Sequence, residues 1–165
     1  MSDKGGRFFY ARYRGKVVDN HDPLILGRIR ATVPSIFGNQ ETGWALPSAP
    51  YAGKDVGFFF VPPVGANVWI EFEEGNPDYP IWGGCFWSEG EAPKPAVPEV
   101  KVIKTDFATI TLNDSTSGSG GITIETSSGL RFIMDIKGIE LSNGVSTVKL
   151  SSTSVSINDG ALEVI

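Results

Sequence analysis

The sequence predicts an all-β protein in two parts, a small closed barrel followed by a stack of very short strands. Three observations carry this. No stretch of ten or more residues shows helical periodicity. Composition breaks near residue 98: every proline lies at or before Pro98, and after Trp87 the aromatics are only Phe107 and Phe132. Beyond Thr105 the chain is Ser, Thr, Gly, Asn and Asp, punctuated by aliphatic residues two apart.

The first strand is expected over Phe8–Val18 (FFYARYRGKVV), rich in aromatic and β-branched residues. Gly27–Val33 (GRIRATV) alternates Ile29, Ala31 and Val33 against Arg28, Arg30 and Thr32, a half-buried strand. Val68, Ile70 and Phe72 alternate in the same way against Trp69, Glu71 and Glu73. Glu74-Gly-Asn-Pro-Asp is turn chemistry, with Gly75 free to take positive φ and Pro77 fixing its own. Pro80–Trp87 is then the last barrel strand, and Gly83-Gly84 within it points to a bulge. Four or five such strands joined by Gly/Pro turns fit a barrel better than a sandwich. The lone cysteine, Cys85, reads as a small core residue. Pro93, Pro95 and Pro98 make residues 88–100 a semi-rigid linker, which places the domains at 1–98 and 99–165.

In the second part, Ile110/Leu112, Ile122/Ile124, Leu130/Phe132/Met134, Ile139/Leu141, Val148/Leu150, Val155/Ile157 and Leu162/Val164 each mark a strand with one apolar face. The last three follow a seven-residue spacing. Two small aliphatic side chains per strand supply too little apolar surface to offset the entropy of ordering the chain. The segment is therefore expected to be completed by other copies, three of them forming a prism with their apolar faces inward.

A formal net charge of −5 argues against nucleic acid as a partner. The first fifteen residues contain no apolar segment of signal-peptide type. Glu71, Glu73 and Glu74 are close carboxylates, but their placement on an outer face and in a turn reads as a solvated surface rather than an acid/base pair. His21 sits in a turn beside acids, without the converging ligands a metal needs, so no cofactor or metal is expected. Trp44, Tyr51 and Trp82 are the candidates should the barrel bind sugar.

Three blocks in order resemble a known family: residues 13–34 (YRGKVVDNHDPLILGRIRATVP), 43–53 (GWALPSAPYAG) and 64–84 (VGANVWIEFEEGNPDYPIWGG). They look like the OB-fold domain of central spike proteins in contractile injection machines, the phage baseplate assembly V group and the VgrG proteins of type VI secretion. The resemblance implies an OB barrel followed by an intertwined, trimeric, triple-stranded β-helix needle. It implies a non-enzymatic, membrane-puncturing spike, assembled in the cytoplasm into a tail or injection particle and acting at the target cell envelope. Unlike larger members, the sequence shows no hub domain, no lysozyme domain and no His-x-His tip motif. A separate tail hub protein is therefore an expected partner, with Arg28, Arg30, Glu71 and Glu73 as contact candidates. A PAAR-like tip protein is the other, seated on Leu162, Val164 and Ile165. The thirteen aliphatic and aromatic positions from Ile110 to Ile157 named above are the expected trimer core. The competing reading is a carbohydrate- or receptor-binding module on a trimeric β-prism stalk.

Overall fold

A computed structural model describes residues 7–116, Gly118 and residues 120–165. The chain divides into two compact units, the first ending at Glu91 and the second starting at Ala92. The division falls before the expected boundary at residue 98 because residues 88–91 are tied to the barrel. The Glu91 carboxylate accepts from the Ser88 N–H (2.6 Å) and from Asn67 Nδ2 (3.2 Å).

The first unit is a five-stranded sheet in the order β2-β1-β6-β7-β3. Its strands are β1 (Tyr13–Asp19), β2 (Arg30–Thr32), β3 (Leu46–Pro47), β6 (Asn67–Phe72) and β7 (Pro80–Phe86). A bridge between Ile29 and Ala45 joins the β2 side to the β3 side and closes the barrel. A small ribbon, β4 (Ala52–Gly53) with β5 (Val56–Gly57), stands apart from the sheet. The inward alternation read from the sequence holds: Val17, Ile29, Ala31, Val33, Ala45, Val68, Ile70, Phe72 and Trp82 form the buried core. The buried Thr42 hydroxyl accepts from the Ala31 N–H at 3.1 Å, and Trp82 Nε1 donates to the Gly27 carbonyl at 3.1 Å, so both polar groups are satisfied.

The expected bulge is present. Val68 faces Cys85 and Ile70 faces Trp82, so Trp69 alone opposes Gly83 and Gly84. Gly84 has φ +93°, a conformation that disfavours any side chain.

Three sequence expectations need correction. The first strand begins at Tyr13, not Phe8; the Phe9 N–H bonds the Gly75 carbonyl at 2.8 Å, and its ring packs on Tyr13 and Phe72. A four-residue helix, α1 (Pro34–Phe37), interrupts the all-strand reading, with Pro34 in its first turn and Phe37 edge-on to Phe72. Cys85 is exposed rather than core, because it lies beyond the bulge and next to the last pair of the β6–β7 ladder, Asn67 with Phe86.

The second unit is a single eight-stranded antiparallel sheet in which every strand pairs with the next in sequence. The strands are β8 (Val100–Lys104), β9 (Ala108–Asn113), β10 (Gly121–Thr126), β11 (Arg131–Asp135), β12 (Gly138–Ser142), β13 (Thr147–Leu150), β14 (Val155–Ile157) and β15 (Leu162–Val164). Within one chain the strands thus meander as a prism face would. The reason is local: turns of two to four residues close every hairpin except β9–β10, and side chains staple them. Asp135 accepts from the Lys137 N–H, Asn143 from Val145 and Ser146, and Ser151 from Thr153 and Ser154, all within 2.7–3.2 Å. Part of the Ser/Thr/Asn/Asp enrichment is therefore turn chemistry. At Gly138 (φ +130°) an added Cβ would lie 1.9 Å from the Leu150 carbonyl oxygen, so only glycine lets β12 and β13 approach.

Candidate functional site

Residues directly opposite each other on neighbouring strands share a face. The register therefore sorts the sheet into columns. One runs Leu112, Ile122, Met134, Ile139, Leu150, Val155, Val164. The next runs Ile110, Ile124, Phe132, Leu141, Val148, Ile157, Leu162. The structure brings twelve of the thirteen expected core positions into these two ladders, on one side of one sheet. Leu130 precedes β11 and takes part through a groove of about 490 Å3 that it lines with Ile124, Phe132, Leu141 and Val148. Sequence reasoning missed Ile103, which extends the second column from Ile110, and Lys101, which interrupts the first beside Leu112 and is ion-paired with Asp114.

The opposite side is mostly polar. Thr111, Thr123, Ile133, Glu140, Lys149, Ser156 and Glu163 form its central column, and the Lys149 ammonium lies 3.8 Å from Glu140 and also pairs with Asp159. The Asp159 contact, reinforced by Glu140, raises the Lys149 pKa. One face thus tolerates water and the other does not.

Among the described residues, none after Trp82 is buried. Ile124, Met134 and Leu141 are each more than two-fifths exposed although they sit in the middle of the sheet. An exposed apolar face of this extent marks an interaction surface.

The two parts, a closed barrel of residues 13–87 and an uncovered sheet, match two family models. The type VI secretion system/phage-baseplate injector OB domain covers residues 13–87, and the phage baseplate V C-terminal trimerisation domain covers residues 100–163. The chain belongs to the phage baseplate V family of injector spikes. The uncovered face is that of a trimerisation domain. A similar curated protein is the actin cross-linking toxin VgrG1 of Vibrio cholerae serotype O1, 34% identical over 87 residues. The match takes in 48% of this chain and 8% of the toxin, so the chain spans a small part of that relative.

The four expected hub contacts fare differently in this baseplate V barrel. Glu73 is exposed. Glu71 is partly exposed and pairs with Arg12 at 2.5 Å, and Arg30 is partly exposed and pairs with Glu41 at 3.0 Å. Arg28 is not on the surface in the sense expected. Its side chain is 16% accessible and its guanidinium holds Asp22, itself 4% accessible, through Nε (3.0 Å) and Nη2 (2.6 Å). The strand expected from Gly27 begins only at Arg30, so Arg28 lies in the preceding loop, which folds back through Asp22 and covers it. Arg28 also lies over the Trp44 ring at 5.5 Å. Of the sugar-binding candidates, Trp82 is core, Trp44 is under Arg28 and Tyr51 packs edge-on to Phe58, so each has a packing partner. The tip candidates Leu162, Val164 and Ile165 are exposed on and beyond β15.

Asp22 also accepts from the Leu24, Leu26 and Arg28 N–H groups at 3.0, 2.8 and 3.2 Å. The Arg28 side chain, opposed by burial and helped by these amides, holds the Asp22 carboxyl well below the usual carboxylate range. Because the folded pKa is depressed, this clamp stabilises the barrel above the ordinary value of 3.8 and is lost only as pH falls through the lower folded value. In carboxyl-carbon NMR, Asp22 should still be ionised at about pH 3, where ordinary aspartates are mostly protonated; a midpoint near 3.8 would remove the clamp.

Proposed function

We propose that the chain is the structural spike of a contractile injection machine. Three copies close their apolar sheet faces on one another into a needle, and the barrels seat that needle on a separate hub. The observation that carries this is the pair of apolar ladders on a sheet with no buried residue of its own, attached to an injector OB barrel. Such a sheet is stable only when covered, and a covered, edge-poor prism resists mechanical load because its chains must separate to unfold. The barrel's outer charges, Arg30 with Glu41, Glu71 with Arg12, and Glu73, suit a polar hub contact of the kind that sets register and on-rate. The exposed Leu162, Val164 and Ile165, beside the unpaired edge of β15, suit a PAAR-like tip protein. The particle assembles in the cytoplasm and acts on the target cell envelope without catalysing a reaction itself.

Light scattering of the purified full chain tests the core of this: a mass about three times 17.7 kDa is expected. A monomer at micromolar concentration with an ordered second unit would reject it. Pull-down from the producing machine should recover the hub with the barrel and one tip protein per trimer with residues 161–165 intact.

A further inference from the structure

The chain contains seven asparagines, and only Asn143 is followed by glycine. Asn143 and Gly144 open the four-residue turn between β12 and β13, and both are exposed. Asn143 Oδ1 accepts the Val145 N–H at 3.0 Å and the Ser146 N–H at 2.7 Å. Gly144 has φ +86°, and a Cβ added to it would meet no atom within 4 Å, so the turn lies open to water. The Gly144 N–H donates to the Ser142 hydroxyl at 3.1 Å rather than to a ladder carbonyl.

These are the parts of an intramolecular acyl substitution. Attack of the Gly144 nitrogen on Asn143 Cγ closes a five-membered ring. The negative charge that develops on Oδ1 meets two amide donors already in place. The proton leaving Gly144 is held by a hydroxyl that can hand it to water. The other asparagines lack one part or another. Asn76 precedes Pro77, which has no N–H. The nitrogens after Asn20, Asn39 and Asn113 are tied to the Asp19 carboxylate (2.9 Å), the Phe37 carbonyl (3.1 Å) and the Glu99 carbonyl (2.9 Å). Asn67 lies inside β6, followed by a β-branched valine, and Asn158 precedes Asp159, whose side chain crowds the attacking nitrogen.

We propose that Asn143 and Gly144 form a self-modifying site that ages the trimerisation sheet. A bond forms between Gly144 N and Asn143 Cγ, the Cγ–Nδ2 bond breaks, and Nδ2 leaves as ammonia with the proton that Gly144 gives up. Water then opens the succinimide at either carbonyl, leaving aspartate or isoaspartate at position 143. Both products place a carboxylate in the turn, and isoaspartate also lengthens the main chain by one methylene. Ser142, Asn143 and Ser146 border the groove lined by Ile124, Phe132, Leu141 and Val148. A longer, charged turn there loosens the pairing of Leu141 with Val148, in the apolar column that three copies share. The ageing of the assembly rests on the trimeric reading above; the chemistry at residue 143 does not.

The test is incubation of the purified full-length protein at physiological temperature and pH, with peptide mass spectrometry over time and light scattering on the same sample. Asn143 is expected to convert at least about tenfold faster than the exposed Asn39 and Asn158, giving aspartate and isoaspartate together. Equal rates at the three sites overturn the proposal. So does conversion confined to protein unfolded in denaturant, since the dipeptide and not the turn would then supply the reactivity. Aspartate without isoaspartate rules out the ring. A monomeric starting sample rejects the trimeric reading, and the ageing of the trimer with it, while the rates at residue 143 are still read. Once most of Asn143 has converted, the trimer should dissociate at lower denaturant concentration than a fresh sample. An Asn143→Gln trimer incubated in the same way should keep its midpoint. Equal loss in both proteins, or no loss in either, overturns the ageing.

Discussion

Replacing Ile124 with Asp is expected to abolish the trimer, lowering the light-scattering mass from about three times 17.7 kDa to that of one chain or to aggregate. Ile124 lies in the apolar column between Ile110 and Phe132 and lines the groove with Leu130, Leu141 and Val148. Three copies bring three carboxylates into one layer of a narrow core. Each unpaired buried charge costs several kcal/mol at least, or forces protonation. The adjacent Thr123→Asp is the control, since it shares a face with Thr111 and Ile133 on the polar side and should leave the mass unchanged. An Ile124→Asp trimer as heat-resistant as the native one would mean that the apolar columns face outward.

Ile70→Ala is expected to destabilise the barrel by about 2–5 kcal/mol while the trimer mass stays the same. Ile70 is fully buried, lies across from Tyr13 and Trp82, and fills the space beside Gly15, where an added Cβ would sit 2.9 Å from its Cγ1. All four tryptophans precede residue 88, so indole fluorescence in denaturant follows the barrel alone. Its midpoint should fall markedly. A change in oligomeric mass, or an unmoved fluorescence transition, would contradict the division of labour between the two units.

Much of this was legible in the sequence, where one residue's neighbours decide its role. The alternations around Ile29 and Ile70 gave the barrel core, and Gly83-Gly84 marked the bulge. The pairs from Ile110 to Val164 foretold the two columns, because turns this short fix register locally. What stayed hidden depends on chain trace. Phe8–Tyr10 has strand composition, yet Phe9 is held by ring packing and one bond to Gly75 instead of a ladder. Arg28 lies just before β2, and only the loop folded back through Asp22 covers it. The contact between Gly27 and Phe59 joins segments some thirty residues apart, which no periodicity records.

The spacing of β13, β14 and β15 sets a rule for which length changes the gene can accept. Val148, Ile157 and Leu162 occupy one column, while Leu150, Val155 and Val164 occupy the other. Each seven-residue step reverses the strand's direction while keeping both columns filled, so a fourteen-residue step restores direction and column together. Insertions or deletions of whole hairpins therefore lengthen or shorten the sheet with every later residue still in phase. A single-residue change within a strand turns the rest of that strand's apolar side chains to the water. The sheet behaves as a counted string of hairpins, and its length can change in steps of two strands without disturbing either column.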